Sequence, residues 1–319
     1  MISISPASGR RDRCLQTVFE QQVERSPSAI AIEQEGDVAT FRDLNGWANQ
    51  VAHYLQRRSI GPETVVGLSM ARDLELFIVL LGVLKAGAAV LYLPSAAPSP
   101  WEQMAFMLRD AAVALIVVDR PQQLEELPPS GAATVCLQRD WKAMRQESQE
   151  NPLMTAMPES LAAVIYTLDS TGMPMRVLVE HQELGYLAEG IIGDMDLLPH
   201  DRVLQFFAPG TDAFVFELVL SLSHGASLHI VPEAVRSDPP ALDAFLRRSA
   251  ITVATLTPSV LAELPRVDLP ALRKLIVVGE TCPTELIGRW RAPGRRIFRA
   301  KGQRAAVMWT SFSECRDDG

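Results

Sequence analysis

Residues 166–176 read Tyr-Thr-Leu-Asp-Ser-Thr-Gly-Met-Pro-Met-Arg, a loop of small and polar residues between two apolar runs. The run before it, Ala162 to Tyr166, and the run after it, Val177 to Val179, are each typical of a short strand. A loop of this kind presents backbone N–H groups and hydroxyls to the oxygens of a phosphate. The sequence therefore predicts a phosphate-binding loop between two strands.

The length and composition of the chain predict a globular protein. Its 319 residues are 48% hydrophobic, which is enough apolar material for two compact lobes, and the charged fraction of 21% argues against wholesale disorder. The formal net charge is −8, so a strong electrostatic attraction to nucleic acid or to an anionic membrane is not expected.

Several features predict a soluble, cytoplasmic protein. The four cysteines are widely spaced and form no C-x-x-C pair, which indicates free thiols in a reducing compartment. The first residues lack the apolar segment of a signal peptide. The most apolar stretch, Leu76 to Leu93, is interrupted by Lys85 and Gly87, so it predicts a helix, a turn and a strand instead of a membrane span.

Predicted strands and helices alternate along the chain. Thr40 and Asp43 have the spacing of a capping box at the start of a helix. Further along, strand Val65 to Met70, helix Asp73 to Leu84 and strand Val90 to Leu93 follow one another. This alternation predicts an α/β fold with largely parallel sheets.

We expect two packed α/β lobes. Residues 60–200 are predicted to form the first, with the phosphate loop, and residues 14–60 plus 200–319 the second, with a substrate pocket. The Pro-, Gln- and Glu-rich segment Arg120 to Pro158 is predicted to be the least ordered connection in the chain, with one short apolar strand at Thr134 to Leu137.

Several segments occur in the order and spacing of one known family. They are Thr40 to Asn45, Gly61 to Gly67, Leu84-Lys85-Ala86-Gly87-Ala88, Ala162 to His181 with the loop, Thr211 to Glu217, Thr255 to Pro258 and Gly279-Glu280. Together they resemble the amino-acid adenylation domain of nonribosomal peptide synthetases, a member of the adenylate-forming, AMP-binding enzymes. The resemblance implies the fold of the large N-terminal part of those enzymes. It also implies a reaction in which an amino-acid carboxylate attacks ATP, with Mg²⁺ as cofactor, and the aminoacyl-AMP passes to a carrier-protein thiol. Carrier or condensation domains of an assembly line are the partners that it implies.

The resemblance also implies a substrate site. Asp212 occupies the position of the aspartate that binds the substrate α-amino group, and the alternative is that it is a helix N-cap. The residues that match the wall of the side-chain pocket are mostly apolar: Ala213, Phe216, Thr255, Ile276, Val278, Ala300, Met308 and Trp309. We therefore expect a substrate with an apolar or aromatic side chain, and the alternative is that these residues are simply core.

The nucleotide site implied by the resemblance is altered. The loop keeps Thr167, Ser170, Thr171 and Gly172, but Met175 stands where the family has lysine, Asp169 where it has glycine and Leu168 where it has serine. Two like unit charges about 4 Å apart repel by about 4 kcal/mol at an effective dielectric constant of about 20, so Asp169 should oppose a polyphosphate. Arg176, where the family has glycine, could supply a substitute cation.

A second nucleotide motif, at residues 299–305, is altered more severely. Gly302 is kept, but Ala305 replaces the glutamate that holds Mg²⁺, Lys301 replaces the tyrosine that stacks on adenine, and Arg304 replaces a threonine. The chain also ends at Gly319, before the C-terminal lid domain that follows in the family. The sequence thus predicts a truncated, degenerate adenylation domain, inactive or strongly impaired and retained as a structural or regulatory domain. The alternatives are an active ligase completed by another chain, and an amino-acid-binding module without ATP chemistry.

Overall fold

The computed structural model of the chain describes residues 14–94, 101–153, 155–168, 174–189, 195–265, 268–301 and 311–315. Within these ranges the strands are β1 (Ile30–Gln34), β2 (Asp37–Thr40), β3 (Val65–Ser69), β4 (Ala89–Tyr92), β5 (Leu115–Val118), β6 (Ala133–Cys136), β7 (Leu161–Leu168), β8 (Pro174–Glu180), β9 (Arg202–Gln205), β10 (Ser227–Ile230), β11 (Val253–Leu256), β12 (Lys274–Val277), β13 (Arg296–Lys301) and β14 (Ser311–Glu314). The helices are α1 (Leu15–Arg25), α2 (Phe41–Gln56), α3 (Leu74–Lys85), α4 (Trp101–Asp110), α5 (Pro121–Glu126), α6 (Leu137–Met144), α7 (His181–Glu189), α8 (Asp212–Leu222), α9 (Glu233–Arg236), α10 (Pro239–Arg248), α11 (Pro258–Glu263) and α12 (Thr284–Trp290).

The described residues form two compact units. We call the described residues of Arg11–Ser28 and Thr40–Tyr186 the hairpin unit, because they include β7 and β8, and those of Ala29–Ala39 and Leu187–Gly319 the Asp212 unit. Each unit holds one sheet. The strand orders are β6-β5-β3-β4-β7-β8 in the hairpin unit and β14-β13-β12-β11-β9-β10-β1-β2 in the Asp212 unit. Most neighbouring strands are parallel, whereas β7 with β8 and β13 with β14 are antiparallel, which confirms the predicted α/β class.

The grouping of residues 14–60 differs from the predicted lobes. Only residues 29–39 of this segment group with the Asp212 unit, whereas α1 and α2 group with the hairpin unit. The reason is close packing of α2 on α3: a Cβ atom at Gly82 would lie 2.5 Å from Cγ1 of Val51 and 3.1 Å from the carbonyl oxygen of Ala48. In addition, Lys85 at the end of α3 forms an ion pair with Glu20 on α1.

The segment from Arg120 to Pro158 is not an irregular connection, contrary to the prediction. Besides the predicted strand, which is β6, it contains α5 and α6, and the chain after α6 is held by polar side chains of α2. Asn49 donates to the carbonyl oxygen of Gln149 at 2.6 Å, and Gln50 donates to that of Arg145 at 2.8 Å. These amide side chains satisfy backbone groups that the segment cannot pair within a sheet.

A buried carboxylate joins the amino ends of three strands in the Asp212 unit. Asp201, which is 0% exposed, precedes β9. Its Oδ1 accepts hydrogen bonds from Thr252 Oγ1 and Arg273 Nη2, both at 2.5 Å, and its Oδ2 lies 3.4 Å from Lys274 Nζ. Although burial raises the pKa of Asp201, these hydrogen bonds and the charge of Lys274 bring it below its ordinary value.

The helices of the described ranges include none that is both long enough and apolar enough to cross a membrane.

Candidate amino-acid and nucleotide sites

In the sheet of the Asp212 unit, the direction in which successive strands are added reverses between β9 and β11, and we call this position the switch point. The connection from β9 runs through α8 to β10 on one side, whereas the connection from β11 runs through α11 to β12 on the other. In open parallel sheets, ligands bind outside the carboxyl ends of the strands at such a point. The turn after β9 leads directly into Asp212, so the predicted substrate aspartate follows this switch point.

Asp212 is the first residue of α8, but it does not cap the helix. The N-cap is Thr211, whose Oγ1 accepts a hydrogen bond from the backbone N–H of Phe214 at 3.2 Å. Asp212 is partly exposed, and its Oδ1 accepts from the backbone N–H of Ala213 at 2.8 Å. The capping role that the sequence left open for Asp212 thus belongs to its neighbour, and no ion pair engages the Asp212 carboxylate among the described residues.

The strand residues predicted for the pocket wall share one face of the sheet. Thr255 on β11 pairs with Ile276 on β12, and Ile276 pairs with Phe298 on β13. Since alternate residues of a strand point to the same face, Val278 and Ala300 lie on this face too. We call it the Thr255 face. All four predicted residues are buried, with exposures of 0%, 0%, 3% and 4% for Thr255, Ile276, Val278 and Ala300.

The opposite face of the sheet is occupied by a separate hydrophobic cluster. That cluster includes the intervening strand residues and residues of the helices that follow β11 and β12: Ala254, Leu256, Leu275, Val277, Ile297, Leu261, Ile287 and Trp290. The predicted wall residues are absent from it. They are as buried as core residues nonetheless, so the geometry is compatible with a wall and with a core role.

Helix α8 packs on the Thr255 face. Gln205 lies on that face, because Val203 pairs with Val253 and each strand alternates in the same phase. Glu217 on α8 accepts a hydrogen bond from Gln205 Nε2 at 3.1 Å. The predicted residues Ala213 and Phe216 are buried on this helix, with exposures of 3% and 1%. Met308, Trp309 and Gly302 lie outside the described residues.

The wall contains one polar group without a partner. The Oγ1 atom of Thr255 is buried and forms no hydrogen bond within the described part of the chain. A buried hydroxyl of this kind costs about 1–3 kcal/mol unless something pairs with it. The wall is therefore apolar except at Thr255.

Glu217 is the feature of this site that the motif comparison missed. It is 0% exposed, and its Oε2 also accepts from the backbone N–H groups of Phe206 and Phe207, both at 3.1 Å. A signal was present in the sequence: one carboxylate lies within the apolar run Phe214 to Leu220. A buried charge persists only where donors satisfy it, so such a residue marks a local hydrogen-bonding role.

The strands that flank the predicted phosphate loop form an antiparallel ladder at the edge of the other sheet. Thr167 on β7 pairs with Met175 on β8, and Tyr166 pairs with Arg176. Cross-strand partners share a side of the ladder and adjacent residues alternate. Thr167 and Met175 therefore face one side, and Arg176 faces the other. Asp169, Ser170, Thr171 and Gly172 lie outside the described residues.

Arg176 is engaged on its own side of the hairpin. Its Nη1 donates to the carbonyl oxygen of Asp110 at 2.6 Å and lies 3.5 Å from the Asp110 carboxylate. The hydroxyl of Tyr166 donates to the same carboxylate at 2.6 Å. Burial, together with this bond to Asp110, raises the pKa of Tyr166. Arg176 is thus tied to the end of α4 and does not stand in for a cation at position 175.

The described residues beside the loop do not fit a bound polyphosphate. A polyphosphate requires donors and cations, but the thioether of Met175 neither donates a hydrogen bond nor carries a charge. Thr167 alone retains a suitable group: its Oγ1 is buried and has no partner within the described ranges. The residues on this side of the hairpin therefore keep one hydroxyl and lack the cation.

Comparison with known proteins identifies relatives over nearly the whole chain. The model of the AMP-binding enzyme family matches residues 19–318. The chain is 38% identical over 303 residues to a subunit of the linear gramicidin synthase of Brevibacillus parabrevis, covering 95% of this chain and 6% of that protein. It is 37% identical over 305 residues to chondramide synthase cmdD of Chondromyces crocatus, covering 94% and 8%. The chain thus spans less than a tenth of the length of these relatives.

Solved structures agree with the sequence relatives. The nonribosomal peptide synthetase FmoA3 superposes with a TM-score of 0.87 at 27% identity, covering 98% of this chain and 33% of that one. A form of FmoA3 with AMPPNP bound superposes with a TM-score of 0.86. The N-terminal subdomain of NpsA from Klebsiella oxytoca has a TM-score of 0.83 at 20% identity, over 96% of this chain and 78% of that one, and shares the fold. With its two α/β units and a family match over nearly all its residues, the chain belongs to the AMP-binding enzyme family and is homologous to nonribosomal peptide synthetase adenylation domains.

Proposed function

We propose that this chain is an adenylation-domain homologue in which formation of aminoacyl-AMP is lost or strongly impaired, and that it serves as a structural or regulatory domain beside carrier or condensation domains. Homology to peptide synthetases supports the ancestral reaction of an amino acid with ATP. One observation carries the proposed impairment: Met175 faces the same side of the hairpin as Thr167, where the family resemblance places lysine.

The loss of a cation at position 175 should matter because of the charge that the reaction separates. Departure of pyrophosphate creates negative charge that positioned cations and N–H donors must stabilise. Removal of one such group typically costs about 2.7–4 kcal/mol in the transition state, or roughly a hundredfold to a thousandfold in rate. Arg176 cannot compensate, because it faces the other side of the ladder and contacts Asp110.

Exchange of labelled pyrophosphate into ATP tests this proposal. We expect no amino-acid-dependent exchange by the natural chain with L-phenylalanine, L-leucine or the other proteinogenic amino acids. Exchange above the level without amino acid would refute the impairment and favour the alternative of an active ligase.

A substitution isolates the contribution of position 175. Met175→Lys should tighten binding of Mg·ATP about tenfold, which corresponds to one charge-assisted hydrogen bond of about 1.4 kcal/mol. Met157→Lys is the matched control, since Met157 is exposed in the same unit and precedes β7, at the end of that strand opposite to the loop. Equal nucleotide affinities for the two variants, measured by calorimetry, would contradict the role assigned to position 175.

Amino-acid binding without ATP chemistry is a second candidate function, and Asp212 favours it. The Asp212 carboxylate follows the switch point, is partly exposed and has no cationic partner in the described ranges. An ammonium group would supply that partner. The mostly apolar Thr255 face supports a ligand with an apolar or aromatic side chain.

Replacement of Asp212 tests the amino-acid site. Asp212→Asn should weaken binding of an apolar amino acid by roughly 10- to 100-fold, because a charged hydrogen bond contributes about 1.5–3 kcal/mol. The variant keeps an oxygen for the backbone N–H of Ala213. Asp238→Asn is the control, since Asp238 is the N-cap of α10 in the same unit and its side chain accepts a hydrogen bond from the backbone N–H of Ala241. Calorimetry that shows the same loss for both variants would reject Asp212 as the ammonium ligand.

A further inference from the structure

Glu217 ties the start of α8 to the end of β9. Its Oε2 accepts three hydrogen bonds, from Gln205 Nε2, Phe206 N and Phe207 N, each 3.1 Å long. The two backbone donors are the first residues after β9. Without an acceptor, these N–H groups would be left unsatisfied where the chain leaves the sheet.

Two further hydrogen bonds hold the turn between β9 and α8. Gln205 Nε2 also donates to the carbonyl oxygen of Phe207 at 2.8 Å, and Thr211 Oγ1 donates to that of Ala208 at 2.9 Å. Asp212 is the next residue after Thr211. The position of its carboxylate relative to the strand end therefore depends on the hydrogen bonds that Glu217 accepts.

We infer that Glu217 is a positioning residue for amino-acid recognition, which holds the turn between β9 and α8 so that Asp212 meets the ammonium group of the ligand. This inference rests on the proposed amino-acid binding at Asp212. Glu217 does not contact the ligand: it is 0% exposed, and its Oε2 is occupied by three donors of the chain itself.

A carboxylate suits this role better than an amide of the same size. An ionised carboxylate accepts hydrogen bonds only, and charge-assisted bonds are shorter and stronger than neutral ones. In Glu217→Gln, the amide oxygen can still accept these hydrogen bonds, but it is neutral, so the bonds lose their charge assistance and hold the turn less firmly. The turn should then shift while the hydrophobic contacts of α8 remain.

The test compares two ligands that differ only in the ammonium group. Affinities for L-phenylalanine and for 3-phenylpropanoate, which lacks the amino group, are measured by calorimetry on the full chain. The natural chain should prefer the amino acid at least tenfold, and Glu217→Gln should reduce this preference about tenfold, the effect of one weakened charged contact. Glu217→Asp, which keeps the charge but withdraws it by one methylene, should change the preference in the same direction.

Asp201→Asn is the matched control, because Asp201 is the buried carboxylate at the opposite end of β9. It should lower stability to urea and leave the preference unchanged. If Glu217→Gln weakens both ligands equally, or alters only the urea midpoint, the positioning role is wrong while the amino-acid site stands. If the natural chain itself shows no preference for the amino acid, the proposed amino-acid binding is wrong.

Discussion

Asp201→Ala is expected to lower the free energy of unfolding by about 3–5 kcal/mol, the usual effect of removing one partner from a buried ion cluster. The substitution would leave the Lys274 ammonium, whose side chain is 4% exposed, without its carboxylate. It would also remove the acceptor for Thr252 and Arg273, which join β11 and β12 to β9. Urea unfolding monitored by tryptophan fluorescence measures the change.

The pH dependence of this effect has a defined sign. Because the pKa of Asp201 is below its ordinary value of 3.8 in the folded chain, the carboxylate contributes stability above that value and loses it as the pH falls towards the folded-state pKa. The stability difference between the natural chain and Asp201→Ala should therefore be constant near neutral pH and narrow below about pH 4. A loss under about 1 kcal/mol at pH 7 would contradict the strong coupling inferred from the geometry.

Gly82→Val is expected to destabilise the hairpin unit by about 3 kcal/mol, at the upper end of the usual cost of overpacking. The cause is steric: the first added atom would already lie 2.5 Å from Val51 and 3.1 Å from a backbone oxygen of α2. Backbone atoms of a packed helix cannot move aside cheaply, so α2 and α3 would have to separate. The urea midpoint of the chain reports the change.

The same substitution at Gly288 provides the control. Gly288 lies in α12, and a Cβ atom there would meet nothing within 4 Å. Gly288→Val should therefore change stability by no more than about 0.5 kcal/mol, as is usual for exposed positions. Similar losses at both positions would show that the effect of Gly82→Val does not arise from contact with α2.

Features of the fold that depend on local sequence were predictable. The capping box at Thr40 and Asp43 is present, with the backbone N–H of Asp43 3.1 Å from Thr40 Oγ1. The apolar run from Leu76 ends its helix at Lys85 and turns at Gly87, whose φ angle is +86°. Such signals act within a few residues, so one sequence suffices to read them.

Features that depend on distant partners were not predictable. The sequence shows that α2 has an apolar face. It does not show that α2 packs against α3 at Gly82, where the absence of a side chain allows the close contact. The amide side chains of α2 meet the chain after α6 about a hundred positions later, so a segment rich in polar residues is ordered although its composition suggested otherwise. Composition reports local preference, whereas tertiary hydrogen bonds decide the outcome.

In the candidate sites, too, some features were predictable from the sequence and others were not. The family resemblance predicted Asp212 and the strand residues of the Thr255 face as a substrate site, and the structure places these strand residues on one face of the sheet. The resemblance did not reveal that Arg176 is bound by Asp110, since that contact joins a strand to a helix end that motif spacing does not connect. Glu217 was not predicted because two of its three hydrogen-bond donors are backbone N–H groups, which leave no pattern of side chains in the sequence.

In the hairpin of β7 and β8, the lysine that the family resemblance places at position 175 can be replaced without loss of the fold. Met175 keeps the backbone pairing with Thr167 and stands on an edge strand with its side chain partly exposed, so exchanging it for another long side chain costs the sheet little. Selection removes substitutions that lower stability below the threshold that a protein needs. If selection acts only on abundance or assembly, it does not remove a substitution such as this one. A cooperative thermal unfolding transition is therefore no evidence that a member of this family is catalytically active.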